Sequence, residues 1–176
     1  MKILIIETGG TISGCVPEYE EISKMSAIYS QEIDLPHYIS EVLQYTDNAN
    51  ITLKVVANKD SREINEQDRN SIVNAIKKYP NIDKILITHG TYTMPETGKY
   101  ILGNLTAEEI AKKSIIITGS MYPWIIAQSD APANIGASLQ ALSLNIKGVH
   151  ICMHQQLFDP RKVKKDTENL LFKNSE

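Results

Sequence analysis

Five short runs rich in isoleucine and valine recur along this sequence, at Ile3 to Ile6, Ile51 to Val56, Ile85 to Ile87, Ile115 to Ile117 and Val149 to Met153. Runs this short and this apolar suit strands buried on both faces of a sheet. The segments between them carry helical spacing. Asn65 to Tyr79 opens at an asparagine N-cap, has Asp68 three positions later, and places Ile72, Val73 and Ile76 on one face. His37 to Tyr45 follows Pro36, Met94 to Leu102 has Pro95 in its first turn, and Ala133 to Leu144 follows Pro132. The order β-α-β-α-β-α-β-α-β predicts an α/β fold: a doubly wound, mainly parallel sheet of about five strands with helices on both faces. Ligands of such folds bind beyond the carboxyl ends of the strands.

A chain of 176 residues is the size of one domain and needs no disulfide or metal staple. Eighteen Lys and Arg against 21 Asp and Glu leave a net charge of −3, which lacks the basic footprint of a nucleic-acid binder. The apolar runs are far below the ~20 residues that span a bilayer, so no membrane partner is expected. Met1 to Glu7 is basic and then apolar like a signal peptide, but the apolar run is four residues with no small-residue cleavage site, and it reads as the first strand. Two cysteines, Cys15 and Cys152, form no disulfide framework and no C-x-x-C pattern, so a reducing cytoplasm is expected. Ser13 to Leu35 is polar and aperiodic, and a loop of that length reads as a lid or binding loop.

The strand ends are chemically dense. The first runs into Thr8-Gly9-Gly10-Thr11-Ile12, where two glycines allow a turn with positive φ and bring backbone N–H groups beside the Thr11 hydroxyl. A nucleophile next to an oxyanion hole has this layout, and so has a plain glycine-rich turn. The third runs into Thr88-His89-Gly90-Thr91-Tyr92-Thr93-Met94, the second into Asn58-Lys59-Asp60-Ser61-Arg62-Glu63, and the fourth into Thr118-Gly119-Ser120-Met121-Tyr122. One such cluster is a turn; four together favour a site. His89 reads as a structural hydrogen-bonding residue ahead of a general base. His150 and His154 have no acidic or cysteine partner at ligand spacing, so no metal is expected.

Thr8-Gly9-Gly10-Thr11-Ile12, Thr88-His89-Gly90-Thr91-x-Thr93-Met94, Thr118-Gly119-Ser120-Met121 and Ser129-Asp130-x-Pro132-x-Asn134 resemble the successive signatures of the bacterial-type L-asparaginase family. The resemblance runs from residue 2 to about 167 and implies that family's N-terminal domain, with a flavodoxin-like sheet. It implies Thr11 as nucleophile, Thr91 as second catalytic threonine, and Lys165 as basic partner of Thr91, with Lys164 as an adjacent rival. A lysine held neutral by desolvation could take the threonine proton. The resemblance further implies an assisting loop tyrosine, Tyr19 or, less closely placed, Tyr29. It implies Ser61 as a substrate-binding serine, followed by Arg62 where an amide or small polar residue is commoner, with Gly10, Gly90, Tyr92 and Ser120 completing the substrate site. No cofactor is implied, and the family's pairing of subunits points to a homodimer, with Tyr122 and Trp124 as candidate contacts or pocket walls.

Two departures from the family pattern bear on activity. The family's aspartate after the second threonine, which binds the substrate α-ammonium and steadies the lysine, is Tyr92 here. Losing a charge-assisted hydrogen bond costs roughly 1.5–3 kcal/mol, so free asparagine is expected to bind poorly. The second expectation is a domain at residues 1–165 followed by a tail at 166–176, without the family's C-terminal domain. The reading is therefore an amidohydrolase with a threonine nucleophile, acting on a small amide or amino-acid-like ligand other than free L-asparagine, or with poor activity on it. The alternative is a small-ligand-binding or regulatory module that keeps the pocket without turnover.

Overall fold

All five apolar runs form strands in the computed structural model, which describes residues 1–13, 50–124 and 127–175. They are β1 (Lys2–Gly9), β2 (Asn50–Lys59), β3 (Lys84–Thr88), β4 (Ser114–Thr118) and β5 (Gly148–Met153). A sixth strand, β6 (Gln156–Phe158), turns back antiparallel on β5. The sheet order is β2-β1-β3-β4-β5-β6, with every pair from β2 to β5 parallel. The order 2-1-3-4-5 is that of flavodoxin-like sheets, and its direction reverses between β1 and β3.

Among the described residues, four helices flank the sheet: α1 (Glu66–Lys78), α2 (Met94–Asn104), α3 (Ala107–Lys112) and α4 (Ala131–Ser143). Helix α1 starts where the sequence places it. The Asn65 side chain accepts from the Asp68 N–H, and the Asp68 carboxylate accepts from the Asn65 N–H, closing a capping box. Its Ile72, Val73 and Ile76 are buried with Leu4, Ile6, Ile85, Ile87, Ile115 and Ile117 in the core on one face of the sheet. The opposite face buries Ile3, Ile5, Leu86 and Ile116 against Ala131, Ile135, Leu139 and Leu142 of α4. Alternate residues of each strand thus serve opposite cores, which is why β1, β3 and β4 read as unbroken apolar runs. Strand β2 departs from that expectation: it is the sheet edge among the described residues, and Val55 is 62% exposed.

Three elements differ from the sequence reading. Strand β6 was not expected; it follows a two-residue turn in which His154 and Gln155 take φ of 52° and 61°, between the paired residues Met153 and Gln156. Helix α3, for which the sequence reading has no counterpart, is six residues long and starts behind a second capping box made by Thr106 and Glu109. The expected boundary after residue 165 falls inside a hairpin of β7 (Val163–Asp166) and β8 (Leu171–Asn174), where Lys165 pairs with Phe172. Phe172 is 5% exposed and meets Phe158 at 6.4 Å between ring centroids, so this side chain anchors the hairpin to the core. The helix expected at 37–45 lies outside the described residues.

Candidate active site

The reversal of sheet order between β1 and β3 brings the ends of those two strands together beyond the sheet. Gly9 and Gly10 take φ of 93° and 82°, and the Gly10 N–H donates to Lys59 O at 2.9 Å. A Cβ on Gly10 would collide with the Gly90 backbone, and one on Gly90 would lie 2.7 Å from Ser61 Cβ. The three turns after β1, β2 and β3 are therefore in close contact, which only glycine permits here. Thr11 opens a short 3-10 turn to Ser13, anchored by the fully buried Ile12, and is itself partly exposed.

The Thr91 side chain is 3% exposed and meets Lys165 Nζ at 2.8 Å. Of the two adjacent lysines, it is Lys165 that the β7–β8 hairpin delivers to this threonine. Burial holds the Lys165 ammonium below its usual pKa, Arg62 repulsion adds to that shift, and Asp60 opposes it. A lysine with a lowered pKa, in contact with a threonine hydroxyl, is the pairing that proton removal requires. While charged, Nζ donates to Thr91 Oγ1; once neutral, its lone pair accepts from the hydroxyl across the same contact.

Tyr92 lies at the centre of the charged groups. Lys165 Nζ sits 3.6 Å from its ring centroid, and the Arg62 guanidinium carbon 4.8 Å. Both cations are within reach of the ring's negative face. The Tyr92 N–H donates to Ser61 Oγ at 3.1 Å, and Thr93 Oγ1 donates to Ser61 O at 2.5 Å, strapping the β2 turn onto the β3 turn. Asp60 caps the Ser61–Glu63 turn and bonds Arg62 through Nε at 2.8 Å and Nη2 at 3.1 Å. The Arg62 guanidinium keeps the Asp60 carboxyl below the usual carboxylate range.

Beneath Thr91 lies the buried His89. Its Nδ1 is 2.7 Å from Gly90 O, which can only accept, so the ring proton sits on Nδ1. Nε2 then accepts from the Thr97 hydroxyl at 2.9 Å, and Thr97 Oγ1 accepts from Arg69 Nε at 3.2 Å. Burial pushes the His89 pKa down to about 4, so the imidazole is neutral at pH 7. With both ring nitrogens engaged, His89 positions the Gly90 peptide. The fourth strand end is held differently. The Asp130 carboxylate accepts from the Met121 and Tyr122 N–H groups and from Asn134 Nδ2, which also donates to Gly119 O. Ser120 is buried, and its hydroxyl donates to Tyr122 O at 2.5 Å, inside its own turn.

The structure thus gathers Gly10, Ser61, Arg62, Gly90, Thr91, Tyr92 and Lys165 through direct contacts. Thr11 adjoins them in sequence, and Ser120 sits on the neighbouring strand end. Tyr19, Tyr29 and Cys15 lie outside the described residues. Sequence reasoning placed Asp60 and Thr97 in polar strand-end stretches without giving either a role, and did not single out Arg69; Arg69 and Thr97 each lie in the first turn of a helix, where only the third dimension reveals that they reach toward His89. Among the described residues, no cluster of His, Cys, Asp or Glu could hold a metal ion, and no helix is long and apolar enough to cross a membrane. A cavity of about 510 Å³ opens elsewhere, at the start of β5, where Asp159 and Arg161 close on each other as an ion pair at 2.7 Å.

The model of the family described as "Asparaginase, N-terminal" matches residues 2–171. A glutaminase-asparaginase of Acinetobacter glutaminasificans is 34% identical over 171 residues, covering 93% of this chain and 49% of that protein. An L-asparaginase of Thermococcus kodakarensis is 28% identical over 171 residues, covering 94% of this chain and 48% of that protein. Among solved structures, a probable cytoplasmic L-asparaginase from Campylobacter jejuni superposes with a TM-score of 0.71 at 30% identity, over 93% of this chain and 48% of that one. The chain therefore spans about half the length of these relatives.

Proposed function

The chain belongs to the asparaginase family through that family's N-terminal domain, and on this premise we propose that it is an amidohydrolase that cleaves a carboxamide with Thr11 as nucleophile. The observation that carries the reading is the 2.8 Å contact between Lys165 Nζ and the buried Thr91 hydroxyl, on the strand end packed against the Gly10 turn. In the proposed reaction Thr11 Oγ1 attacks the amide carbon, and backbone N–H groups near Gly10 and Thr91 hold the developing oxyanion. The C–N bond breaks as the proton from Thr11 Oγ1 passes to the nitrogen, so ammonia leaves and an ester on Thr11 remains. The Thr91–Lys165 pair takes a proton from water, which attacks the ester and releases the acid. Tyr19 assists Thr11 in this proposal, and Ser61 and Ser120 lie beside the bound substrate.

The substrate in this reading is not free L-asparagine, because Tyr92 offers no carboxylate to an ammonium. A homodimer belongs to the same proposal, supported by the 46% exposed Tyr122 beside the site. The cytoplasm is the proposed location, supported by the cytoplasmic description of the Campylobacter neighbour. A ligand-binding module without turnover is the second reading, favoured by the position of the Tyr92 ring against Lys165. Ammonia release from a panel of carboxamides separates the two. The hydrolase reading expects turnover that Lys165→Met lowers by at least a hundredfold; ligand-induced thermal shifts without ammonia from any amide would leave the binding module.

A further inference from the structure

Three side chains of defined charge meet at Tyr92. Lys165 and Arg62 both lie over its ring, at 3.6 and 4.8 Å from the centroid. Asp60, the carboxylate bonded to Arg62, is engaged through both of its oxygens. Counting Lys165, Arg62 and Asp60 together, the charge beside Thr91 is therefore positive among the described residues whenever Lys165 is protonated. The ring itself is 44% exposed, so this charged platform faces outward and borders the space a ligand would enter. Ser61 Oγ accepts from the Tyr92 N–H, and its own proton has no acceptor among the described residues. A hydroxyl in that state donates readily to a carbonyl or carboxylate oxygen.

We infer that the pocket takes a carboxamide that carries a carboxylate and no free α-ammonium, such as an N-acylated asparagine or the monoamide of a dicarboxylic acid, and turns away the zwitterionic amino acid. This rests on the amidohydrolase reading and specifies its substrate class. An ammonium beside Tyr92 would meet a ring already engaged by two cations, and it would be repelled by both. An aspartate at position 92 and a neutral side chain at position 62 would reverse that preference. Here both positions act in one direction: one supplies no negative charge, and the other supplies a positive one. An acyl group on the nitrogen, or no nitrogen at all, removes the repulsion and leaves the carboxylate attracted to the same platform.

The test compares kcat/KM for N-acetyl-L-asparagine, succinamate and L-asparagine in the full chain and in the double variant Tyr92→Asp, Arg62→Gln. The expected result is at least a tenfold preference of the native chain for the first two over L-asparagine, narrowed or inverted in the variant. Equal or faster turnover of L-asparagine by the native chain would overturn the inference while leaving the amidohydrolase reading intact. If no amide is hydrolysed, that reading fails, and calorimetric binding of succinate and L-aspartate to the native chain decides the recognition separately. Succinate is then expected to bind at least tenfold more tightly, and equal or tighter binding of L-aspartate would overturn the inference. The native-chain comparisons hold even if the double variant does not fold.

Discussion

At the scale of single residues, the site is organised by where protons sit. His89 is fully buried, and the Gly90 carbonyl and the Thr97 hydroxyl together dictate a neutral ring with its proton on Nδ1. Its pKa falls from 6.5 to about 4, so the unfolded chain binds more protons than the native one between those values. Stability from this group is complete above pH 6.5 and is lost as pH falls from there to about 4. Thermal unfolding followed across that window should show a destabilisation on the order of 3 kcal/mol attributable to this histidine. In Thr97→Val, which removes the donor to Nε2, stability at pH 7 should already be lower, by about 1–3 kcal/mol.

Lys165 carries the complementary prediction. Because burial and Arg62 lower its pKa, the neutral amine that accepts a proton is available below the ordinary lysine range. Where hydrolysis of the ester limits turnover, the rising limb of kcat against pH should therefore have its midpoint under 10.5. Tyr92→Asp places an anion beside the ammonium, stabilises the charged form, and should move that limb to higher pH. A limb unaffected by this substitution would remove Lys165 from the proton-transfer step.

At the scale of elements, legibility followed local signals. The N-cap of α1 was readable because Asn65 and Asp68 are three apart, and α2 and α4 because Pro95 and Pro132 sit within their first turns. The strands β1, β3 and β4 were readable because both of their faces are buried. Strand β6 escaped because its turn is made by His154 and Gln155 at positive φ, with no glycine or asparagine to mark it. The hairpin of β7 and β8 escaped because charged residues dominate it and one aromatic, Phe172, ties it to the core. That hairpin delivers Lys165. Phe172→Ala should cost about 3 kcal/mol of stability and lower activity further than that loss alone explains, measured by denaturation and by turnover well below the melting temperature.

At the scale of the whole molecule, the sheet order 2-1-3-4-5 determines where chemistry can occur. It opens the crevice between β1 and β3, and the Gly-Thr turns after those two strands are packed against each other there. The motifs around Thr11, Thr91 and Lys165 were legible in the sequence through their resemblance to one family. The contacts of Tyr92 with Lys165 and Arg62 were not, since 73 residues separate Tyr92 from Lys165 in the chain and no periodicity joins them. The proposal that Thr11 attacks a carboxamide ties these features together. Its most direct test is the rate of ammonia release from N-acetyl-L-asparagine, succinamate and L-asparagine by the native chain and by Thr11→Ala, with folding of both checked by circular dichroism. The account predicts release from at least one of these amides by the native chain and a loss of at least a thousandfold in Thr11→Ala. Equal rates in the two proteins, or no ammonia from any of the three amides, would contradict it.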